Sequence, residues 1–230
     1  IKIADFPQKV TKIVLTGNDF YDLALRDEIA AGWTLSPYEF CTVDEFNTLK
    51  HKDDYYFLIT ADGKFKKENE PGLTFITLVK GGKGASQGID KMLEIVSIPI
   101  ASAENPSGRE FVFMPAFIDI IQDYTSAAMS KDINGYLGLG SNTESLMNAQ
   151  NMEIVFAECD LAGDVDRAFR DLNFDSDMIV DDEDSTDRIM ESGRPETIVS
   201  YVVAPEDPTA GSYCYKMLIH PESHKLYYFR

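Results

Sequence analysis

The chain is poor in cysteine, poor in histidine and short of positive charge. Only three cysteines, Cys41, Cys159 and Cys214, stand among 230 residues. An odd number with no Cys-x-x-Cys spacing supports neither a disulfide framework nor a zinc knuckle, so buried or half-buried thiols are expected. Three histidines, His51, His220 and His224, leave few general bases. There is no Gly-x-Ser-x-Gly elbow and no His-Glu-x-x-His pair, and no catalytic constellation can be assembled. A binding or interaction role is expected rather than an enzymatic one, with no cofactor. No apolar run approaches the roughly 20 residues that cross a bilayer, so a soluble chain without a membrane span is expected. Twenty-one basic residues against thirty-nine acidic ones give a net charge of -18. Such a field repels a phosphate backbone, which argues against nucleic acid as a partner.

What remains is ordinary globular composition, 44% hydrophobic and 26% charged, enough for one large domain or two small ones. Residue 1 is Ile rather than Met. A removed leader is one explanation, and an extracytoplasmic location, periplasmic or secreted, is expected ahead of a cytoplasmic one.

Lys12 to Gly17 reads as a short apolar strand, followed by an Asn18-Asp19 cap and a helix with Phe20, Leu23, Ala24 and Ala31 on one side, closed by Gly32. Trp33 to Cys41 is taken as a strand. Thr42-Val43-Asp44-Glu45 has the capping-box pattern and opens a short helix through Lys50. Asp54 to Thr60 and Leu73 to Lys80 read as strands about a turn at Asp62-Gly63. Gly88 to Val96 is expected to be a helix ending before Pro99, with a polar loop over Ala101 to Gly108. The clearest helix follows, because Phe113, Phe117, Ile120, Ile121, Tyr124 and Ala128 fall on one face of a 3.6-residue repeat. Lys131 to Ser145 is a Gly-rich linker, and Met152 to Ala157 begins a new strand.

Two halves of the chain run in parallel. Ile13-Val14-Leu15 is matched by Ile154-Val155-Phe156, and Ala24-Leu25-Arg26-Asp27 by Ala168-Phe169-Arg170-Asp171. Tyr56-Phe57-Leu58-Ile59 is matched by Tyr201-Val202-Val203-Ala204, and Pro71 to Phe75 by Ala210 to Cys214. The order of four elements agrees, which suggests an internal repeat. The expected fold is α/β in the mixed α+β sense. It has two similar β-α-β-α-β modules with mixed sheets ending in antiparallel hairpins, joined by a long amphipathic helix. The N-terminal module spans 1–100, the connecting helix and linker 101–150, and the C-terminal module 151–230.

Local candidates are few. Gly82, Lys83, Gly84 and Gly88 lie between a strand and an expected helix. Gly82-x-Gly84-x-x-x-Gly88 is a spacing seen in dinucleotide-binding loops, where glycines let backbone N–H groups approach phosphate at a helix N-terminus. A flexible lysine-bearing turn is the plainer account. Residues 153–191 hold fourteen acids and three arginines. Within them Asp171, Asn173, Asp175, Asp177 and Asp182 mimic an EF-hand loop, but Ser176 stands where the sharp turn needs Gly, and Asp182 is shorter than the usual bidentate Glu. A solvated acidic face is the stronger reading. His220 and His224 have the spacing of paired metal ligands, yet Pro221 and the flanking strands make their segment a hairpin loop. The aromatic runs Tyr55-Tyr56-Phe57 and Tyr227-Tyr228-Phe229 are read as half-buried packing rather than a stacking surface.

The segments Gly32-Trp33-Thr34-Leu35-Ser36-Pro37-Tyr38-Glu39-Phe40-Cys41, Tyr55-Tyr56-Phe57-Leu58-Ile59 and Lys225-Leu226-Tyr227-Tyr228-Phe229 resemble a family of uncharacterised proteins from Bacteroidetes-type gut bacteria. That resemblance implies an exported protein and no particular activity. The function expected is therefore a non-catalytic binding or interaction protein, its partner an unknown protein or small molecule. The alternative is an enzyme or sensor holding a nucleotide or other phospholigand on the Gly82 to Gly88 loop.

Overall fold

A computed structural model describes residues 3–130, 138–163 and 178–230. The first sheet contains β1 (Val10–Val14), β2 (Tyr38–Cys41), β3 (Tyr55–Gly63), β4 (Leu73–Lys80) and β5 (Leu93–Ser102) in the order β2-β1-β3-β4-β5. Strands β1, β2 and β3 are parallel, while β4 and β5 continue antiparallel. The second sheet contains β6 (Glu153–Ala157), β7 (Met178–Asp181), β8 (Thr197–Val203), β9 (Tyr215–Ile219) and β10 (Leu226–Phe229). Its order is β7-β6-β8-β9-β10, with the same senses strand for strand. These are two similar mixed-sheet modules. Their residue register differs from the matches drawn above: Ile13 pairs with Leu58, whereas Ile154 pairs with Ile198, so Leu58 corresponds to Ile198 rather than Val203.

Helix α1 (Asp19–Gly32) follows β1, α2 (Val43–Leu49) follows β2, α3 (Arg109–Ser130) joins the modules, and α4 (Glu183–Glu191) follows β7. Each short helix starts where a side chain satisfies a free N–H. Asn18 accepts from Tyr21 N–H, Thr42 and Glu45 close a capping box, and Asp182 accepts from Ser185 N–H.

Alternation along the strands sorts the layers. On β3, Tyr56 and Leu58 face the main core with Leu25 and Ile29 of α1 and Phe113 and Phe117 of α3, while Phe57 and Ile59 face Phe46 of α2. On β8, Val199, Tyr201 and Val203 join that same main core from the other side, and Ile198 packs outward with Tyr227. One apolar layer built around α3 is therefore shared by both sheets, and every residue of its expected face is buried. Tyr56 and Phe57 are fully buried, which settles those aromatics as packing.

Several expectations fail. The inward stripe of α1 is Asp22, Leu25 and Ile29, whereas Phe20 and Leu23 are exposed at 73% and 59%. No helix covers 88–96; short 3-10 turns at Lys83–Gln87 and Ile89–Lys91 lead into β5. Pro99, taken as a helix stop, sits inside that strand, where an edge position and a register shift opposite Thr74 and Phe75 tolerate its missing N–H. Of the thiols only Cys41 is buried, and burial pushes it up to about 11; Cys159 and Cys214 are exposed. Between Trp33 and Cys41 only Tyr38–Cys41 is strand.

Candidate functional site

Parallel strands connected to opposite sides leave a crevice beyond their carboxyl ends, and this topological switch point is where open α/β sheets bind ligands. In the first sheet β1 is followed by β2 on one flank, and the chain then returns to β3 on the other. The switch point therefore lies between the ends of β1 and β3, at Thr16 and Thr60. A cavity of about 520 Å³ opens there, within the range of small-molecule sites.

Its walls come from several places in the chain. Thr16, Asn18 and Tyr21 lie at the β1–α1 junction, Thr60 to Asp62 at the end of β3, Thr74 on β4, Ile100 and Ala101 on β5, Pro106 in the loop after it, and Glu110 and Phe111 on α3. Phe20 and Phe111 meet edge to face at the rim, ring centres 5.1 Å apart. That contact explains an exposed Phe20 that a core-facing reading of α1 misplaced. The Tyr21 hydroxyl shares a 2.8 Å hydrogen bond with Thr60 Oγ1, and burial pushes its phenol above the ordinary tyrosine range. Asp62 accepts from Thr74 Oγ1 at 2.7 Å. Glu110 is 5% exposed, and its Oε2 accepts from Gly108 N–H at 2.8 Å. Gly108 stands at φ 91°, a left-handed turn that brings this N–H back onto the carboxylate. Among the described residues two carboxyl groups and no basic side chain line the cavity.

A phosphate at this position would need the N–H groups where β1 turns into α1. Here the protein uses them itself. The buried Asp22 carboxylate accepts from Thr16 N–H at 2.8 Å, Thr16 Oγ1 at 2.7 Å and Gly17 N–H at 2.9 Å, and Asn18 takes Tyr21 N–H at 3.0 Å. The Asp22 side chain occupies the anion's place.

The corresponding switch point of the second sheet, between the ends of β6 and β8, is filled. Arg109, the first residue of α3 and 4% exposed, reaches into it. Its Nε donates to Asp187 at 2.9 Å, and its Nη1 to Asp160 at 3.1 Å and to Cys159 Sγ at 3.4 Å. The guanidinium also lies over the rings of Phe113 and Tyr201, 5.3 and 5.2 Å from their centres. Asp160 takes two more donors, Ser200 Oγ at 2.6 Å and Val202 N–H at 3.2 Å. Burial alone would lower the Arg109 pKa, but the charges of Asp160 and Asp187 outweigh it and raise it above the ordinary value.

The sites named from sequence do not coincide with either switch point. With no helix after Gly88, the glycine loop lacks the N-terminal donors its phosphate argument requires. Gly82 N–H already donates to Lys50 O, and Gly88 N–H to Ala85 O. Close packing accounts for part of the glycine content: a Cβ at Gly84 would stand 2.6 Å from Lys91 O, and one at Gly81 2.2 Å from Lys52 O. Lys83 is exposed. Asp171, Asn173, Asp175 and Asp177 lie outside the described residues. Asp182 caps α4, both carboxylate oxygens being engaged by Ser185, and these bonds lower its pKa. His220 and His224 do lie in the β9–β10 loop; His224 Nδ1 meets Asp119 Oδ2 at 2.7 Å, and His220 Nδ1 accepts from Ser223 N–H. Among the described residues no helix is long and apolar enough to cross a membrane.

Asp22, Glu110, Arg109 and Asp160 were not singled out from sequence. Strand order is the signal that finds the first cavity, since the Asn18-Asp19 cap already marks the carboxyl end of β1. Comparison with known family models, curated proteins and solved structures finds no match.

Proposed function

We propose that the protein is a non-catalytic binding protein whose ligand sits in the switch-point cavity of the first sheet. The observation that carries this reading is the cavity of about 520 Å³ at the switch point of the first sheet, where the described residues leave the crevice open. Carboxyl groups of Asp62 and Glu110, the hydroxyls of Thr16, Tyr21, Thr60 and Thr74, and the Phe20 and Phe111 rings define the ligand class. It is a small, partly aromatic molecule, neutral or cationic, that offers amine or hydroxyl donors. The Asp22 carboxylate disfavours a phospholigand, and the glycine-loop alternative has lost the helix it rested on.

Thermal unfolding with three matched probes tests the reading, because a ligand of the native state raises the midpoint by mass action. Tyramine should raise it most, 2-phenylethanol less, and 4-hydroxyphenylacetate least. Ala61→Trp, which fills the mouth of the cavity from an exposed position, should abolish the 2-phenylethanol effect and reduce that of tyramine. A stronger effect from the carboxylate, or a 2-phenylethanol effect that survives Ala61→Trp, contradicts the proposal. The equal strand order of the two sheets supports a further reading, that the modules descend from one duplicated unit.

A further inference from the structure

We infer that the hollow between the β3–β4 and β8–β9 loops binds a primary alkylammonium group, independently of the cavity at the first switch point. The two loops meet closely, since a Cβ at Gly72 would stand 2.9 Å from Pro205, and the β5–α3 loop joins them through Asn105 Nδ2, which donates to Glu206 Oε2 at 3.2 Å. Between them lies a hollow of about 160 Å³ whose acidic wall comprises Glu68, Glu70, Glu104, Glu206 and Asp207, with no basic side chain among the described residues. Pro71 and Pro205 supply an apolar wall beside these carboxyl groups.

An acidic cluster alone would be a solvated surface, but Glu68 is not solvated. It is 7% exposed; Oε2 accepts from Phe65 N–H at 3.0 Å, while Oε1 is buried with no hydrogen-bond partner among the described residues. Oε1 stands beside Gly72 on the wall of the hollow, 3.2 Å from where a Cβ there would be. Leaving such an acceptor unsatisfied costs free energy that an incoming donor recovers. Among the described residues no three acidic, histidine or cysteine side chains converge as metal ligands, which disfavours a bare divalent cation. A compact ammonium needs only one or two close acceptors, and the remaining carboxyl groups add attraction from the rim. Pro71 and Pro205 suit its alkyl stem.

A free diamine and a lysine side chain carry the same group, so calorimetric titration with cadaverine and with Nα-acetyl-lysine methylamide separates the sources. One-to-one binding of either is expected, with amide shifts at Phe65, Glu68 and Gly72, and Glu68→Gln should weaken it about tenfold or more. Ala61→Trp should leave this affinity unchanged, which distinguishes the hollow from the other cavity. Glu206→Gln, at an exposed position, gives a second variant expected to weaken binding while keeping the fold. No binding of either amine at millimolar concentration overturns the inference. So do an affinity indifferent to Glu68→Gln and a calcium-selective response in place of the amine.

Discussion

The two switch points are built by the same strand order and end in opposite states. At the first, α3 presents Glu110 and Phe111 to an open cavity, and the turn after β1 is closed by Asp22 from its own helix. At the second, the preceding residue of that same helix, Arg109, crosses to the other module and is held by Asp160, Asp187 and the Tyr201 ring. A single helix end thus lines one site and plugs its counterpart. Topology creates crevices in pairs, and one side chain decides which of them stays available.

Removing the plug is the severest way to break that contrast. Arg109→Leu leaves two carboxylates without their cation, one of them almost wholly buried, and should cost about 3–5 kcal/mol in urea unfolding. Arg109→Lys should rescue little, because one ammonium cannot reproduce a fork that reaches several acceptors. A stable Arg109→Leu protein would show that the second crevice needs no filling.

At the first site Asp22→Ala should cost about 1–3 kcal/mol by the same measurement, since the N–H groups of Thr16 and Gly17 lose their acceptor. The variant should also gain stabilisation from sulfate that the parent lacks, an anion replacing the missing carboxylate. Equal sulfate dependence in both proteins would refute the view that Asp22 pre-empts an anion. In the helix on the outer face, Thr42→Ala should cost about 1 kcal/mol through loss of the capping box.

The smallest effect concerns pH. Desolvation lowers the pKa of His220, and its Nδ1 accepts a backbone N–H, so the folded state favours the neutral ring; Glu222 opposes this shift and His224 adds to it. The folded protein then binds fewer protons than the unfolded chain near the ordinary histidine pKa of about 6.5. The His220 contribution is complete above that value and is lost as pH falls below it. Between pH 7.5 and 5.5 the urea midpoint should fall less in His220→Gln than in the parent.

Much of this architecture is legible in the residues because its signals are local. Thr42 and Glu45 announce a helix start within four positions, and the Phe113 to Ala128 face repeats often enough to be read alone. On α1 a polar residue, Asp22, occupies the inward stripe while the aromatic Phe20 serves a rim, so hydrophobicity pointed to the wrong face. Over 88–96 the charged Asp90, Lys91 and Glu94 break the apolar pattern before any period of two is established, and Pro99 looked like a stop until the edge position of β5 gave it a place. The plug was beyond reach, because Arg109 meets Asp160 and Asp187 only after both modules have closed on α3.

Backbone amide NMR during a tyramine titration compares the two switch points in one experiment. The expected result is saturable movement of the Thr16, Thr60, Asp62 and Phe111 signals with those of Cys159, Asp160 and Val202 unmoved. Movement centred on Asp160 and Val202, with the first group silent, would contradict the assignment of the open site to the first sheet.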